Sequence, residues 1–297
     1  MCGIVGLLVK KPVLRERLGE MMVPMLIGMT ERGPDSSGMA VFTEPVTGKR
    51  RKLSLYCADA SFDWKHAEGV LSERCDDVSL AVGANHAVLT TTSEPVALRA
   101  WLRTEFPDMR VLSVGRSIDL YKDVGLPVEV AERYHFATLR GTHLVGHTRM
   151  ATESAVTPEN AHPYTAGEDW CLVHNGSLAN PGSIQRKLEK LGVHFESDCD
   201  TECACRYIHW RLDEGDTLEQ ALEKAFEDFD GFFTFLMGTH DKLALVRDPF
   251  ACKPAVVAET DDYVAIASEF RSLAHLPDVR HARVFEPKPV QVYSWSV

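Results

Sequence analysis

The sequence contains no apolar run near the roughly 18 to 20 residues that a membrane span requires. Basic residues are in the minority, with 32 Lys and Arg against 43 Asp and Glu and a formal charge of −11. That balance argues against a protein that grips nucleic acid through its phosphates, where a basic patch must replace condensed counterions. Low-complexity linkers and internal repeats are missing too, and 45% hydrophobic with 25% charged residues are globular proportions. Cysteine is present but scattered, at positions 2, 57, 75, 171, 199, 203, 205 and 252. Neither the density of a disulfide-stapled domain nor paired CxxC units appear, so a reducing cytoplasm is expected. The apolar N-terminal stretch carries Lys10 and Lys11 behind it rather than ahead of it, the reverse of a secretory signal. It reads as a strand.

Periodicity supplies the next elements. Leu14, Leu18, Met21, Met22, Met25, Leu26 and Met29 step by three and four, which predicts a core-facing helix kinked at Pro24. The turn at residues 31–38 ends it, and a short strand at 39–42 follows. Residues 51–140 differ in texture: a strand pair at 78–91, a helix at 95–106 and a strand at 110–114 read as an inserted α/β subdomain. From 144 onward strands come first, helices begin at Pro181, Thr201 and Thr217, and strands return at 231–238, 242–247, 254–257 and 263–267. Thr217 and Gln220 form a capping box ahead of an apolar stripe that includes Leu218, Ala221, Leu222 and Ala225. Strands, helices and strands again imply sheets layered with helices.

Chemistry centres on Cys2. A thiol is a nucleophile only as thiolate, and once Met1 is removed the same residue carries an α-amine, whose ordinary pKa of about 7.7 to 8.0 suits a base. Other residues have simpler readings when taken singly. Arg149 could be half of an ion pair, Asn175-Gly176 a hairpin turn, and Asp198 or Asp200 a helix N-cap. His147, His162 and His174 could suggest a metal, but an amine base makes a histidine base unnecessary. Cys203 and Cys205 would face different sides of a helix. No metal and no cofactor are expected.

Taken together in order, the segments are more specific. Cys2-Gly3-Ile4-Val5-Gly6, Arg32-Gly33-Pro34-Asp35-Ser36-Ser37-Gly38, Gly146-His147-Thr148-Arg149-Met150-Ala151-Thr152, Glu159-Asn160-Ala161-His162-Pro163, Val173-His174-Asn175-Gly176-Ser177-Leu178 and Ser197-Asp198-Cys199-Asp200-Thr201-Glu202 follow one another. This order resembles the class II glutamine amidotransferase family, the N-terminal-nucleophile glutaminases, over about 1–45 and 140–275. The resemblance implies an α+β fold of four layers, αββα, for a single amidotransferase domain over 1–297 with the insertion at about 51–140. It implies Cys2 as nucleophile, Asn175 and the Gly176 amide as oxyanion donors, and Arg149, Asp200, Thr152 and His174 as the glutamine-binding set. Physical demand agrees with it: glutamine offers an α-carboxylate, an α-ammonium and a carboxamide, which call for a cation, an anion and an oxyanion stabiliser. Asp200 is preferred to Asp198 because Thr201-Glu202 follows it, as in the family pattern.

Two departures stand out. The family's usual aromatic after the arginine is Met150 here, and its Ala-Thr-His-Gly appears as Ala151-Thr152-Glu153-Ser154. No synthase domain follows the closing motifs Arg247-Asp248-Pro249 and Ala267-Ser268-Glu269, so ammonia is expected to pass to a separate subunit. The resemblance points to the amidotransferase subunit of glutamate synthase-like systems split over several chains, including N-methylglutamate synthase. The rival readings are another amidase of the same fold with an N-terminal cysteine, and a non-catalytic subunit that senses glutamine or scaffolds its partner.

Overall fold

The computed structural model describes residues 2–151 and 155–297. In chain order the strands are β1 (Gly3–Val9), β2 (Ser36–Phe42), β3 (Arg51–Cys57), β4 (Ser79–Gly83), β5 (His86–Thr91), β6 (Met109–Gly115), β7 (Ile118–Val124), β8 (His143–Arg149), β9 (Tyr164–Thr165), β10 (Trp170–Leu178), β11 (Gly231–Thr239), β12 (Lys242–Arg247), β13 (Val256–Glu259), β14 (Tyr263–Ala267), β15 (Arg283–Phe285) and β16 (Tyr293–Ser296). The helices are α1 (Leu18–Ile27), α2 (Trp64–Arg74), α3 (Pro95–Glu105), α4 (Pro127–Arg133), α5 (Pro181–Glu189), α6 (Asp200–Asp213) and α7 (Leu218–Asp228). A 3-10 turn at Pro12–Arg17 occupies the first part of the helix expected from Leu14, and Pro24 lies inside α1.

Strand β1 shows why the molecule is layered. Its side chains alternate between faces, and both faces are buried. Ile4 and Leu8 join a core with Val145, Val173, Leu236 and Ile266, while Val5, Leu7 and Val9 pack with Leu18, Met22 and Leu26 of α1. A strand buried on both sides must lie inside a stack. It is the middle strand of the antiparallel sheet β15-β13-β14-β1-β8-β2-β7. The second sheet, β16-β12-β11-β10-β9, faces it across the core that contains Ile4 and covers its own outer face with α5, α6 and α7. The result is the αββα sandwich, in which each fully buried aliphatic side chain contributes about 2 kcal/mol.

The stretch expected as one insertion divides. Residues 51–115 build a separate sheet, β4-β5-β3-β6, with α2 and α3 packed on Leu53, Leu55, Leu89 and Val114. Strand β7 instead extends the large sheet beside β2, and Val130, Ala131, Tyr134 and Phe136 belong to the α1 core. Helix α2 and strand β7 were not expected from the sequence. Asp169 fastens the junction: its carboxylate accepts the amides of Arg116, Ser117 and Ile118 at 2.8–2.9 Å and the Ser117 hydroxyl at 2.9 Å. Gly115 makes room, since a Cβ there would lie 2.1 Å from Asp169 Oδ1.

Asp169→Ala strands those amide donors and is expected to lower stability by about 2–4 kcal/mol. Urea unfolding measures this directly; a loss under about 1 kcal/mol would mean that water replaces the carboxylate.

Candidate active site

Antiparallel pairing of β1 with β8 sets Gly3 against Thr148, so the start of one strand meets the end of the other. Residues 2 and 149 are therefore neighbours. Alternation along β8 turns His143, Val145, His147 and Arg149 to the face between the sheets, where Val145 packs in the inter-sheet core and His147 Nε2 donates to the His174 carbonyl at 3.0 Å. A carbonyl only accepts, so the His147 proton sits on Nε2. That bond fixes β10 against β8 one residue before Asn175. Cys171 and Val173 of β10 face the same seam, and alternation sends Asn175 there also. His174 points the other way, edge-on to Phe235 and toward the start of α6.

Cys2 is partly buried, and burial raises its thiol pKa above the ordinary value, opposed by the Met150 backbone and the Arg149 charge. Its sulfur lies 3.9 Å from the Met150 carbonyl. Arg32 holds the residue from behind, donating from Nε to the Cys2 carbonyl at 3.0 Å while Nη1 pairs with Glu269 at 2.9 Å. Arg32 and Glu269 are positioning residues that the sequence placed in motifs without giving them a role. Asp35 acts similarly. Its amide donates to the Arg149 carbonyl and its carboxylate accepts the Ala151 amide at 2.8 Å, which sets the strand end that carries the arginine. Arg149 is buried, and Nη1 donates to the Ala155 carbonyl at 3.2 Å.

The Asn175 side chain is only 2% exposed, yet Nδ2 has no hydrogen-bond partner among the described residues. Buried donors are almost always paired, so an orphan invites a functional reading. Gly176 has φ +150, and a Cβ there would stand 1.9 Å from the Phe232 carbonyl oxygen. Asn175-Gly176 lies within β10, paired to Thr234 and Phe233, and is not a hairpin turn. Asp200 opens α6, with Oδ2 accepting the Leu178 amide at 2.9 Å and Oδ1 lying 3.2 Å from the Thr201 hydroxyl and 3.6 Å from His174 Nδ1. Burial works to raise its pKa, but the His174 ring, the Leu178 amide and the Thr201 hydroxyl outweigh it and hold it at about 2. Asp198 is exposed.

His174 was expected with the glutamine-binding set; its side chain is 1% exposed, its Nδ1 faces Asp200 and Thr201, and its Nε2 lies beside Gly176, where an added Cβ would stand 2.7 Å from it, with no hydrogen-bond partner among the described residues. His162 stacks on His147 at 3.9 Å, and its Nδ1 accepts the His174 amide. Burial depresses His147 to about 3 and His162 well below the ordinary value, so both rings are neutral at neutral pH. Among the described residues no group of three His, Cys, Asp or Glu side chains is arranged to hold a metal. Thr152, Glu153 and Ser154, and with them the altered substrate loop, lie outside the described residues, as does Met1.

The αββα sandwich, with Cys2 just ahead of its middle strand, has the N-terminal-nucleophile hydrolase fold. Residues 147–275 match the glutamine amidotransferase domain family. The chain is 47% identical, over 100% of its length and 98% of the relative, to the glutamine amidotransferase-like protein GlxB of Rhizobium meliloti. It is 32% identical over 163 residues to an amidophosphoribosyltransferase of Archaeoglobus fulgidus, covering 54% of this chain and 35% of that one. The glutamine phosphoribosylpyrophosphate amidotransferase of B. subtilis shares the fold, with a TM-score of 0.62 at 18% identity, and 99% of this chain spans 49% of that structure. The chain belongs to the class II glutamine amidotransferase family, and no helix among the described residues is long and apolar enough to cross a membrane.

Asp200 is expected to stay ionised far below the ordinary carboxylate range. Because its folded pKa lies below the unfolded value of about 3.9, its stabilising contribution is complete above about pH 5 and is lost as pH falls toward 2. Replacing His174 with Gln should move the Asp200 carboxyl titration, followed by ¹³C NMR, upward; an unmoved titration would remove His174 from this role.

Proposed function

We propose that the protein is a glutaminase component that hydrolyses L-glutamine to glutamate and ammonia through a thioester on Cys2. The observation that carries the reading is the buried Nδ2 of Asn175, unpartnered among the described residues, on the seam that Arg149 also faces. Removal of Met1 would free the α-amine of Cys2, which takes the thiol proton as the sulfur attacks the side-chain carbonyl carbon of glutamine. Asn175 Nδ2 and the Gly176 amide donate to the oxygen as it gains charge, the interaction that strengthens most toward the transition state. Collapse of that intermediate breaks the C–N bond, and the amine's proton leaves with the ammonia. Water then attacks the thioester, gives its proton back through the same amine, and releases glutamate with the thiol restored.

In this assignment Arg149 holds the substrate α-carboxylate and Asp200 its α-ammonium. A carboxylate that stays charged at all working pH values suits the second task, and His174 keeps it so. Thr152 belongs to the same set by its place in the motif. Free ammonia is protonated at neutral pH, so we assign the acceptor to a separate subunit, a glutamate synthase-like partner, with both chains in the cytoplasm. All eight cysteines are free thiols, as that compartment favours. Residues 51–115 are read as the inserted subdomain, outside the amide chemistry.

Purified protein assayed for glutamate release should lose turnover on Cys2→Ser, and its intact mass should lack Met1. Asn175→Ala should cost about 10²- to 10³-fold in kcat, whereas Arg149→Ala should mainly raise KM, because the charge it binds does not change in the reaction. Full turnover with Met1 retained, or an unaltered kcat in Asn175→Ala, would overturn the assignment.

A further inference from the structure

A cavity of about 440 Å³ lies between the 51–115 subdomain and the sandwich, and none of Cys2, Arg149, Asn175 or Asp200 lines it. Its size suits a small metabolite. Its charge is unlike the rest of the molecule: five cationic side chains line it against three carboxylates, in a chain whose net charge is −11. Two of the three carboxylates are paired, and Glu159 makes no ion pair among the described residues. Glu202 accepts from Arg206 and from the amides of 196 and 197, and Glu196 pairs with Arg103. Arg110, which is exposed, donates to a backbone carbonyl and makes no ion pair among the described residues.

Lys122 is the unusual member. It is 6% exposed, at an inward position of β7, and burial pulls its pKa down to about 8, which leaves it mostly charged at neutral pH. Its partners are uncharged: the carbonyls of Glu159 at 3.3 Å and Ala161 at 2.8 Å, with the ammonium 4.7 Å from the Tyr164 ring centre. No carboxylate lies within ion-pair distance among the described residues. Glu159, Glu202 and Glu196 act on it only from beyond ion-pair distance, so a buried cation at this cavity wall still gains from an anion that meets it directly. Tyr56, Leu102 and Met109 add an apolar wall on the subdomain side.

We infer that this cavity is a second ligand site, for a small organic anion whose carboxylate or phosphate meets Lys122 and Arg110 and whose frame lies on the apolar wall. Its position couples it to the glutamine site proposed above, and this part rests on that reading. Lys122 holds the backbone on both sides of Asn160. The Asn160 side chain donates to the Ala155 carbonyl at 3.2 Å, the same oxygen that Arg149 Nη1 binds at 3.2 Å. On the other side, residue 161 leads into His162, which accepts the His174 amide. An anion that draws the Lys122 ammonium toward itself loosens the 159–161 carbonyls and shifts the support of Arg149.

Calorimetry on the full chain with phthalate and with phenyl phosphate tests the site independently of turnover. At least one should bind with a Kd below about 1 mM, with phthalate preferred for a carboxylate site and phenyl phosphate for a phosphate site. Lys122→Met should weaken that binding at least tenfold, and Arg110→Ala, on the surface and safe for folding, severalfold while leaving turnover without anion unchanged. Saturating anion should change the KM for glutamine at least threefold in the unmodified protein. Failure of both anions to bind below about 10 mM, or equal affinity in Arg110→Ala and wild type, overturns the site. Binding with an unmoved KM in an active enzyme overturns the coupling alone, and an enzyme without glutaminase turnover would leave the binding result standing.

Discussion

The bond from the His147 ring to the His174 carbonyl crosses the seam between the two sheets at the level of the site, and the other functional positions are measured from it. Two β-sheets packed by apolar side chains can slide, because hydrophobic contact has no direction. A hydrogen bond between buried groups does not tolerate sliding. By tying β8 to β10 it fixes the end of one strand, with Arg149, relative to Asn175 and Gly176 on the other. The same residue, His174, presents its ring to α6 and so links the helix start to this frame. Burial keeps His147 neutral, and stacking with His162 holds its plane. The arrangement leaves Nδ1 of His147 without a hydrogen-bond partner among the described residues, one of the small costs of placing polar groups between sheets.

Much of this was legible in the sequence because it is local. The capping box of Thr217 and Gln220 forms as expected, and α5, α6 and α7 begin within a residue of their predicted starts. The dense motifs mark local features, Cys2 and Arg149 at strand ends and Asp200 at a helix start, while Asn175-Gly176 lies inside β10. What escaped was set by contacts distant in sequence. Arg32 gains its meaning from Cys2 and Glu269, which lie 30 and 237 residues away. Helix α2 buries only Trp64, Ala67 and Leu71, too thin a stripe to stand out, although Asp63 caps it. Strand β7 was hidden by its own chemistry: Ile118 and Leu120 point inward as a strand's alternation requires, but the next inward position is Lys122. A lysine there reads as surface until the cavity is seen.

The 51–115 subdomain is joined to the sandwich by polar groups as well as apolar ones. Its Lys52 pairs with Asp119 at 2.6 Å, its Ser54 hydroxyl accepts the Leu120 amide, and its His86 ring accepts the Lys122 amide. Each of these reaches β7, so that strand answers to two sheets at once. Burial drives His86 to about 3, which keeps Nε2 free to accept. Directional bonds along one strand give the junction a defined register, where a purely apolar contact would permit several.

The distribution of the cysteines bears on how the proposed nucleophile can be studied. Cys252 is exposed, whereas Cys57, Cys75, Cys171, Cys203 and Cys205 are buried and burial pushes their thiols upward, to about 12 for Cys203 and Cys205. Cys2 is only partly accessible and its thiol is raised as well. A small, indiscriminate alkylating agent therefore meets Cys252 first, and total thiol loss reports that surface residue rather than the head of β1. Under the proposed assignment, chemoselectivity at Cys2 comes from the shape and charge of the reagent, through an amino-acid end offered to Arg149 and Asp200 while the electrophile reaches the sulfur.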